Sequence, residues 1–137
     1  MEIKVKTTVN SGVERVWAAW VQPEHITNWN FASDQWHCPS AEIELVEGGR
    51  FSYRMEAKDG STGFDFAGQF TRVEEHKLIE YMLEDDRRVS IDFTETSGST
   101  SIVERFEAED EFSGEQQRQG WQSILDNFKI YVEALRT

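Results

Sequence analysis

The chain has 137 residues, of which 38% are hydrophobic, and 26 Asp and Glu against 14 Lys and Arg give it a formal net charge of −12 at pH 7. This size and composition predict one compact domain over residues 1–137, and the acidic balance argues against nucleic acid and anionic membranes as partners. The apolar runs are far shorter than the roughly 20 residues of a membrane span, and the N-terminus lacks the apolar region of a signal peptide, so we expect a cytoplasmic protein.

The first third of the chain predicts one strand followed by two short helices. Residues 3–9 alternate apolar and polar side chains, which is typical of a strand with one buried face. Ser11 and Glu14 have the spacing of a capping box, and Pro23 ends the helix that follows and begins another, which closes near Trp29. The apolar face of the first helix comprises Val13, Val16, Trp17, Trp20 and Val21.

Between residues 42 and 109 the alternation returns and predicts a series of strands. Turn signals at 48–49, 58–63 and 96–100 help to divide this region into six segments. The short connections between them favour an antiparallel meander. The predicted strands are EIELV, RFSYRMEA, FDFAGQFTRV, LIEYML, RRVSIDFTE and SIVERFEAE.

The C-terminal segment predicts the longest helix, over residues 114–136. Ser113 and Gln116 form a capping box at its start, and at 1.5 Å per residue its length is about 34 Å. Gly120 within this helix costs about 1 kcal/mol relative to Ala, so we expect it either to permit close packing or to leave space. The expected fold class is α+β, with a curved antiparallel sheet of about seven strands wrapped around this helix. Its apolar stripe is Trp121, Ile124, Leu125, Phe128, Val132 and Leu135.

Five blocks of sequence together point to a known family: VWAAWVQPEHITNWN, WHCP at 36–39, GGRFSYRMEAKDGS, FDFAGQF and GWQSILDNFKIYVE. They resemble the heat-shock chaperone ATPase activator homologue (AHSA) family of the START-like, or SRPBCC, helix-grip superfamily. The resemblance implies a cavity between the long helix and the concave sheet, where other superfamily members hold lipids, sterols, polyketides or plant aromatics. As an alternative to ligand binding, the resemblance implies a chaperone partner and a role in stress response.

The parity of strand positions, meaning which of the two faces of the sheet each side chain lies on, independently supports an interior lined by aromatic side chains. Phe51, Tyr53 and Met55 share one face, and a mid-strand Gly68 suits a bend or a close approach by another group. These side chains either fill a core or surround a cavity, because both arrangements have the same periodicity. In a cavity, the Tyr and Trp polar atoms would orient a ligand. The predicted ligand-binding residues are Trp36, Phe51, Tyr53, Phe66, Phe70, Tyr81, Glu104, Phe106, Trp121, Leu125 and Phe128.

Glu104 is the predicted polar residue of this interior. It shares parity with Ile102 and Phe106, so its carboxyl should point inward. A carboxylate that faces an apolar cavity either pairs with a donor or has a raised pKa. Glu104 would then anchor a ligand or act as a general base; the alternative is a strand-edge Glu that reaches solvent or makes a structural hydrogen bond.

His37 and Cys38 invite a metal or nucleophile interpretation, which the spacing does not support. A zinc site needs at least three protein ligands, and neither His25 nor His76 has motif spacing to this pair. No Ser-His-Asp or Cys-His-Asn pattern is present in the sequence, and a lone Cys cannot form an internal disulfide. We therefore predict no catalytic residue, metal or cofactor, and a loop at 36–39 that packs Trp36 at the cavity mouth.

The preferred function is non-catalytic binding of an apolar or aromatic small molecule, such as a lipid, a polyketide or a flavonoid-like compound, by a monomer or weak dimer. One alternative is a co-chaperone-type module that binds a protein through its acidic surface. The other is a cyclase- or hydrolase-like enzyme that uses Glu104 or a Tyr. A hollow interior favours the first prediction, whereas a filled core with an exposed apolar patch favours the co-chaperone alternative.

Overall fold

The structure, a computed structural model, describes residues 1–110 and 112–135. This part of the chain contains seven antiparallel strands and three helices. The strands form one sheet in the order β1-β7-β6-β5-β4-β3-β2. The predicted α+β fold class, with a curved seven-stranded sheet and a long C-terminal helix, is confirmed. The elements are β1 (Glu2–Val9), α1 (Val13–Val21), α2 (Pro23–Ile26), β2 (Trp36–Ile43), β3 (Arg50–Ala57), β4 (Gly63–Glu74), β5 (Leu78–Leu83), β6 (Arg88–Thr96), β7 (Ser99–Glu107) and α3 (Gly114–Ala134).

The order of the strands follows from the short turns between them. Strands β2 to β7 are each paired with the next, as the short connections predict for a meander. Strand β1 returns to pair with β7, with Ile3 opposite Phe106 and Val9 opposite Thr100. The connection from β1 to β2 therefore runs across the sheet, and helices α1 and α2 lie within it. None of the described helices is both long and apolar enough to cross a membrane.

Strand β2 both begins and ends earlier than the sequence predicts, since it ends at Ile43. The alternation predicted a strand at 42–46 and a loop at 36–39, but Trp36 already pairs with Ala57 of β3. The register shifts between His37 and Ser40, which removes the regular alternation that would have identified this strand. Pro39 lies within the shift; because β2 is an edge strand, the absence of an N–H on proline is tolerated there.

The start of helix α1 also differs from its prediction. The N-cap residue is Gly12 and not Ser11, and a glycine has no side chain with which to accept a hydrogen bond from the first turn. The Glu95 carboxylate at the end of β6 instead accepts a hydrogen bond from the Val13 N–H at 2.7 Å. An acidic group from another element thus satisfies a donor of the first turn. At the start of α3, by contrast, the predicted capping box of Ser113 and Gln116 is confirmed.

Side chains of α3 occupy the free edge of β1. The Gln122 amide donates to the Lys6 carbonyl oxygen at 3.1 Å and accepts from the Lys6 N–H at 3.4 Å. Further along, the Lys129 ammonium donates to the Thr8 carbonyl oxygen at 2.6 Å. These contacts satisfy backbone groups that an edge strand leaves unpaired, and they attach α3 along one side of the sheet.

The C-terminal half of α3 packs into a filled core. The Phe128 side chain is fully buried, and its ring centroid lies 4.8 Å from those of both Trp20 and Trp29. Leu125 and Val132, on the same helical face, are each 1% exposed. The apolar stripe predicted for this helix therefore faces the protein interior over its second half.

The two unusual glycines have different explanations. A Cβ at Gly68 would lie 2.5 Å from the Met82 carbonyl oxygen and 3.0 Å from the Phe51 ring, so the predicted close approach is real. A Cβ at Gly120 would meet no atom within 4 Å. Close packing therefore does not account for Gly120, and the glycine instead leaves open space beside Trp121.

We expect Phe128→Ala to lower the free energy of unfolding by about 3–5 kcal/mol, because it removes a fully buried aromatic side chain from a filled core. Urea denaturation monitored by far-ultraviolet circular dichroism measures this change. Ile130→Ala, on the same helix but at a side chain that is 67% exposed, is the matched control and should change stability by less than about 0.5 kcal/mol. Similar losses in the two variants would contradict the placement of Phe128.

We expect Gly120→Ala to raise the free energy of unfolding by about 0.5–1 kcal/mol, since Ala has the higher helix propensity and its methyl group has room. The same denaturation measurement tests this expectation. Gly68→Ala is the comparison and should destabilise the protein, because its methyl group would clash with the Met82 backbone. A destabilising Gly120→Ala change would show that the space beside Trp121 is not open.

Candidate functional site

A cavity of about 270 Å³ lies between the first half of α3 and the concave face of the sheet. Eight of its 17 lining residues are aromatic, and they come from helices, loops and strands. Such a mostly apolar, concave space with a few polar groups is typical of a small-molecule site. Its lining residues are Trp20, Trp29, Asn30, Ile43, Tyr53, Met55, Phe64, Phe66, Phe70, Ile79, Tyr81, Arg87, Glu104, Glu109, Gln117, Trp121 and Ile124.

Trp121 forms the helical wall of the cavity, and its orientation is fixed by packing. Its ring stacks on Phe106 of β7 with a centroid distance of 3.9 Å and an interplanar angle of 11°. The ring of Phe66 on β4 meets it edge-on at 5.9 Å. Phe106 itself is 1% exposed and does not line the cavity. The stack therefore supports Trp121 from behind and leaves it available to the cavity.

Six of the eleven predicted site residues line this cavity, and the other five lie beside or outside it. Phe51 packs behind the wall, with its ring 4.7 Å from that of Tyr81, and Phe106 supports Trp121 as described. Leu125 and Phe128 belong to the filled core. Trp36 lies on β2, next to the partly exposed Phe64. The six lining residues are Tyr53, Phe66, Phe70, Tyr81, Glu104 and Trp121.

The sequence prediction of site residues missed lining residues both on the predicted strands and outside them. Met55, Phe64 and Ile79 share the inward parity of the predicted strands, so the strand pattern contained the signal for them. Arg87 and Gln117 follow no such pattern, because one lies in a hairpin turn and the other in the first turn of α3. Only the folded chain brings these last two residues to the cavity.

Gln117 connects the start of α3 to the segment that follows β7. Its amide oxygen accepts from the Glu109 N–H at 2.9 Å, and its amide nitrogen donates to the carbonyl oxygens of Glu109 and Phe112 at 2.9 and 2.8 Å. Arg87 forms ion pairs with Asp85 at 2.7 Å and with Glu109 at 3.3 Å. The polar groups at this end of the cavity are therefore already engaged by protein partners.

Glu104 differs from these groups. It is 6% exposed, its cross-strand neighbours are Val5 and Ile91, and it faces the cavity as its parity predicts. Within the described residues its carboxyl makes neither a hydrogen bond nor an ion pair. Burial raises the pKa of Glu104 to about 8, so the carboxyl is largely protonated at neutral pH. Burial and the nearby Glu104 charge together raise the pKa of Tyr81 well above its ordinary value.

His37 and Cys38 do not form a reactive pair. The Cys38 side chain is buried, its thiol donates to the Ser40 carbonyl oxygen at 3.4 Å, and burial raises its pKa to about 11. His37 lies 3.7 Å from Glu56 at the surface. His25 contacts Tyr131 of α3, and His76 packs edge-on against Trp17 of α1, so each of these histidines has another partner. Over residues 1–110 and 112–135, no three His, Cys, Asp or Glu side chains cluster in a way that could hold a metal ion.

The sequence and the fold match known proteins. The family model described as activator of Hsp90 ATPase homolog 1-like protein matches residues 10–133. The AHSA1-like protein from Aeromonas hydrophila is 46% identical, with a TM-score of 0.92 over 98% of this chain and 93% of that chain. A Cytophaga hutchinsonii protein is also 46% identical, with a TM-score of 0.84 over 96% and 92%. A Nitrosomonas europaea protein, 17% identical with a TM-score of 0.81 over 97% and 94%, shares the fold alone. No curated protein matches the chain.

Glu104→Gln is expected to remove a pH-dependent loss of stability. The pKa of this carboxyl is about 8 in the folded chain, against an ordinary value of 4.5. Between these values the folded chain holds a proton that the unfolded chain has released, so stability falls as the pH rises. At about 1.4 kcal/mol per unit of pKa, the wild type should lose stability on the order of a few kcal/mol between pH 5 and pH 8.5 relative to the variant.

Urea denaturation at pH 5 and pH 8.5 measures this difference. Glu42→Gln, which replaces an exposed glutamate on β2, is the matched control and should follow the wild-type profile. Parallel pH profiles for the wild type and Glu104→Gln would show that the Glu104 carboxyl is not desolvated in the folded protein.

Proposed function

The chain belongs to the activator of Hsp90 ATPase homolog 1-like family and has the START-like helix-grip fold, and from this premise we propose that it binds a compact apolar or aromatic small molecule without converting it chemically. The observation that carries the proposal is the aromatic-walled cavity of about 270 Å³ between α3 and the sheet. The same periodicity would have suited a filled core, so the cavity volume is what favours a binding module.

The volume of the cavity limits the size of the proposed ligand. A cavity of roughly 150 Å³ accommodates benzene, which has six non-hydrogen atoms. By proportion, about 270 Å³ accommodates a molecule of about 11 such atoms, the size of a bicyclic aromatic. Among the lipid, polyketide and flavonoid-like ligands expected from the resemblance, this volume favours the most compact members.

The wall of the cavity supplies affinity mainly through apolar contact. An aromatic group of tryptophan size buries about 250 Å², which corresponds to about 6 kcal/mol at 25 cal/mol per Å². Before any cost of association this corresponds to a Kd of tens of micromolar, and the loss of translational and rotational freedom on binding weakens the affinity further. Tyr53 and Tyr81 line the same space, and their hydroxyl groups would supply the polar contacts that orient the ligand.

The composition of the wall also supports binding without reaction. The lining residues include no Ser, Thr, Cys, His or Lys, the side chains that usually act as nucleophiles or bases at neutral pH. Any chemistry would depend on Glu104 and the two tyrosines, because the other ionisable lining residues, Arg87 and Glu109, are paired with each other. The enzymatic alternative therefore has less support than binding.

Titration of the ¹⁵N-labelled protein with 2-naphthylmethanol, a neutral bicyclic probe, tests the proposal. We expect amide shift changes in β3, β4 and the first half of α3, with an affinity that changes little between low and high salt, because the contacts are apolar. Truncating Tyr81 or Trp121 to Ala should weaken binding while the fold survives. Ile124→Trp should reduce affinity at least tenfold, since the new side chain fills the cavity.

Ile130→Trp provides the matched control, because it places the same side chain on the exposed face of the same helix and should leave binding unchanged. Shift changes confined to the outer surface, or none with any bicyclic probe, would overturn the proposal. That result would favour the co-chaperone-type alternative, which the family description itself suggests.

A further inference from the structure

The cavity contains one acidic group that no protein side chain satisfies. Arg87 and Gln117 are held by Asp85 and by the segment around Glu109, as described above. Glu104, in contrast, has no hydrogen-bond or ion-pair partner among the described residues, although it is more than nine-tenths buried and lines the cavity. No fully enclosed side-chain oxygen of the described residues lacks a partner, so the Glu104 carboxyl is open to the cavity. A largely desolvated carboxyl without a protein partner costs free energy, which a ligand that supplies the partner would recover.

The remainder of the wall favours a positive charge over a negative one. Aromatic rings attract cations through their quadrupoles, and eight of the residues that line the cavity are aromatic. An anionic head group would meet the Glu104 carboxyl, and the Arg87 guanidinium is already paired with two carboxylates. The formal charge of −12 on the whole protein further attracts cations and repels anions.

We propose that the natural ligand is a compact, mostly apolar amine, which binds as its ammonium ion and donates a hydrogen bond to the Glu104 carboxylate inside the aromatic cavity. This inference rests on the proposed binding function and specifies the class of ligand. It excludes free fatty acids and phosphorylated molecules of the same size, because their charge has the wrong sign for this site.

The proposed binding step moves one proton. In the empty cavity at neutral pH the Glu104 carboxyl is largely protonated, because its pKa is about 8. When the ammonium ion enters, the carboxyl releases its proton to solvent, and the resulting carboxylate accepts an N–H from the ligand. The ligand keeps its own proton throughout. Affinity therefore rises as the pH approaches 8 and falls again once the amine itself loses its proton in solution.

Other groups around Glu104 do not produce this pH dependence. Tyr81 of β5 and Tyr53 of β3 have raised pKa values and stay neutral up to pH 9. Arg87 and Glu109 are paired with each other. The residues paired with Glu104 across the sheet, Val5 on β1 and Ile91 on β6, do not titrate. Gln117 and Trp121, which line the same cavity on α3, do not titrate either.

The test compares 2-naphthylmethylamine with 2-naphthylmethanol, two probes of the same shape that differ in charge. For the wild type we expect the amine to bind more tightly at pH 8, and its affinity to rise about fifty-fold from pH 6 to pH 8 as the ionised fraction of Glu104 rises. The alcohol should show no such rise. Calorimetry in buffers of different ionisation enthalpy should detect about one proton released per amine bound at pH 6.5.

Glu104→Gln should abolish the rise with pH and the preference for the amine, while the alcohol still binds. Glu42→Gln, at an exposed position, should behave as the wild type. If the alcohol binds the wild type as tightly as the amine, with no proton release, the amine inference is overturned and the binding function stands. If neither probe binds, the proposed function fails as well. The wild-type proton release decides the question even if Glu104→Gln does not fold.

Discussion

The attachment of α3 to the free edge of β1 determines where this molecule is filled and where it is hollow. Gln122 bonds the backbone of Lys6 in both directions, and Lys129 bonds the Thr8 carbonyl oxygen two residues further along. Because the helix is anchored at one side of a curved sheet, it cannot also lie close to β3 and β4 along its whole length. The gap on that side is the cavity, and the stack of Trp121 on Phe106 keeps the helical wall of the gap in place.

The two halves of α3 consequently have different tasks. In the second half, Phe128 packs against both Trp20 and Trp29, where burial stabilises the fold. In the first half, Trp121 and Ile124 line the cavity, and the adjacent Gly120, which does not line it, costs helix propensity without enabling close packing.

Glu104 presents the same compromise in electrostatic terms. A hydrophobic residue at this position would continue the row formed with Val5 and Ile91 and would avoid the desolvation of a carboxyl. The glutamate is instead buried without a protein partner and has a raised pKa. Its neutral form can donate and accept a hydrogen bond, and its ionised form can pair with a cation, so the site can respond to both the charge of a ligand and the pH.

The sequence by itself determined the fold class, the family, most strand boundaries, the capping box of α3 and the inward direction of Glu104, because alternation, helical spacing and turn residues are local signals. It could not locate β2, whose bulge at His37 and Ser40 breaks the alternation, or the cap of α1, which Glu95 supplies from β6. Nor could it distinguish a filled interior from a hollow one. That difference depends on how far α3 lies from the sheet. The contacts of Gln122 and Lys129 with β1, more than a hundred residues away in sequence, set that distance together with the stack of Trp121 on Phe106, and no local pattern encodes a distance of that kind.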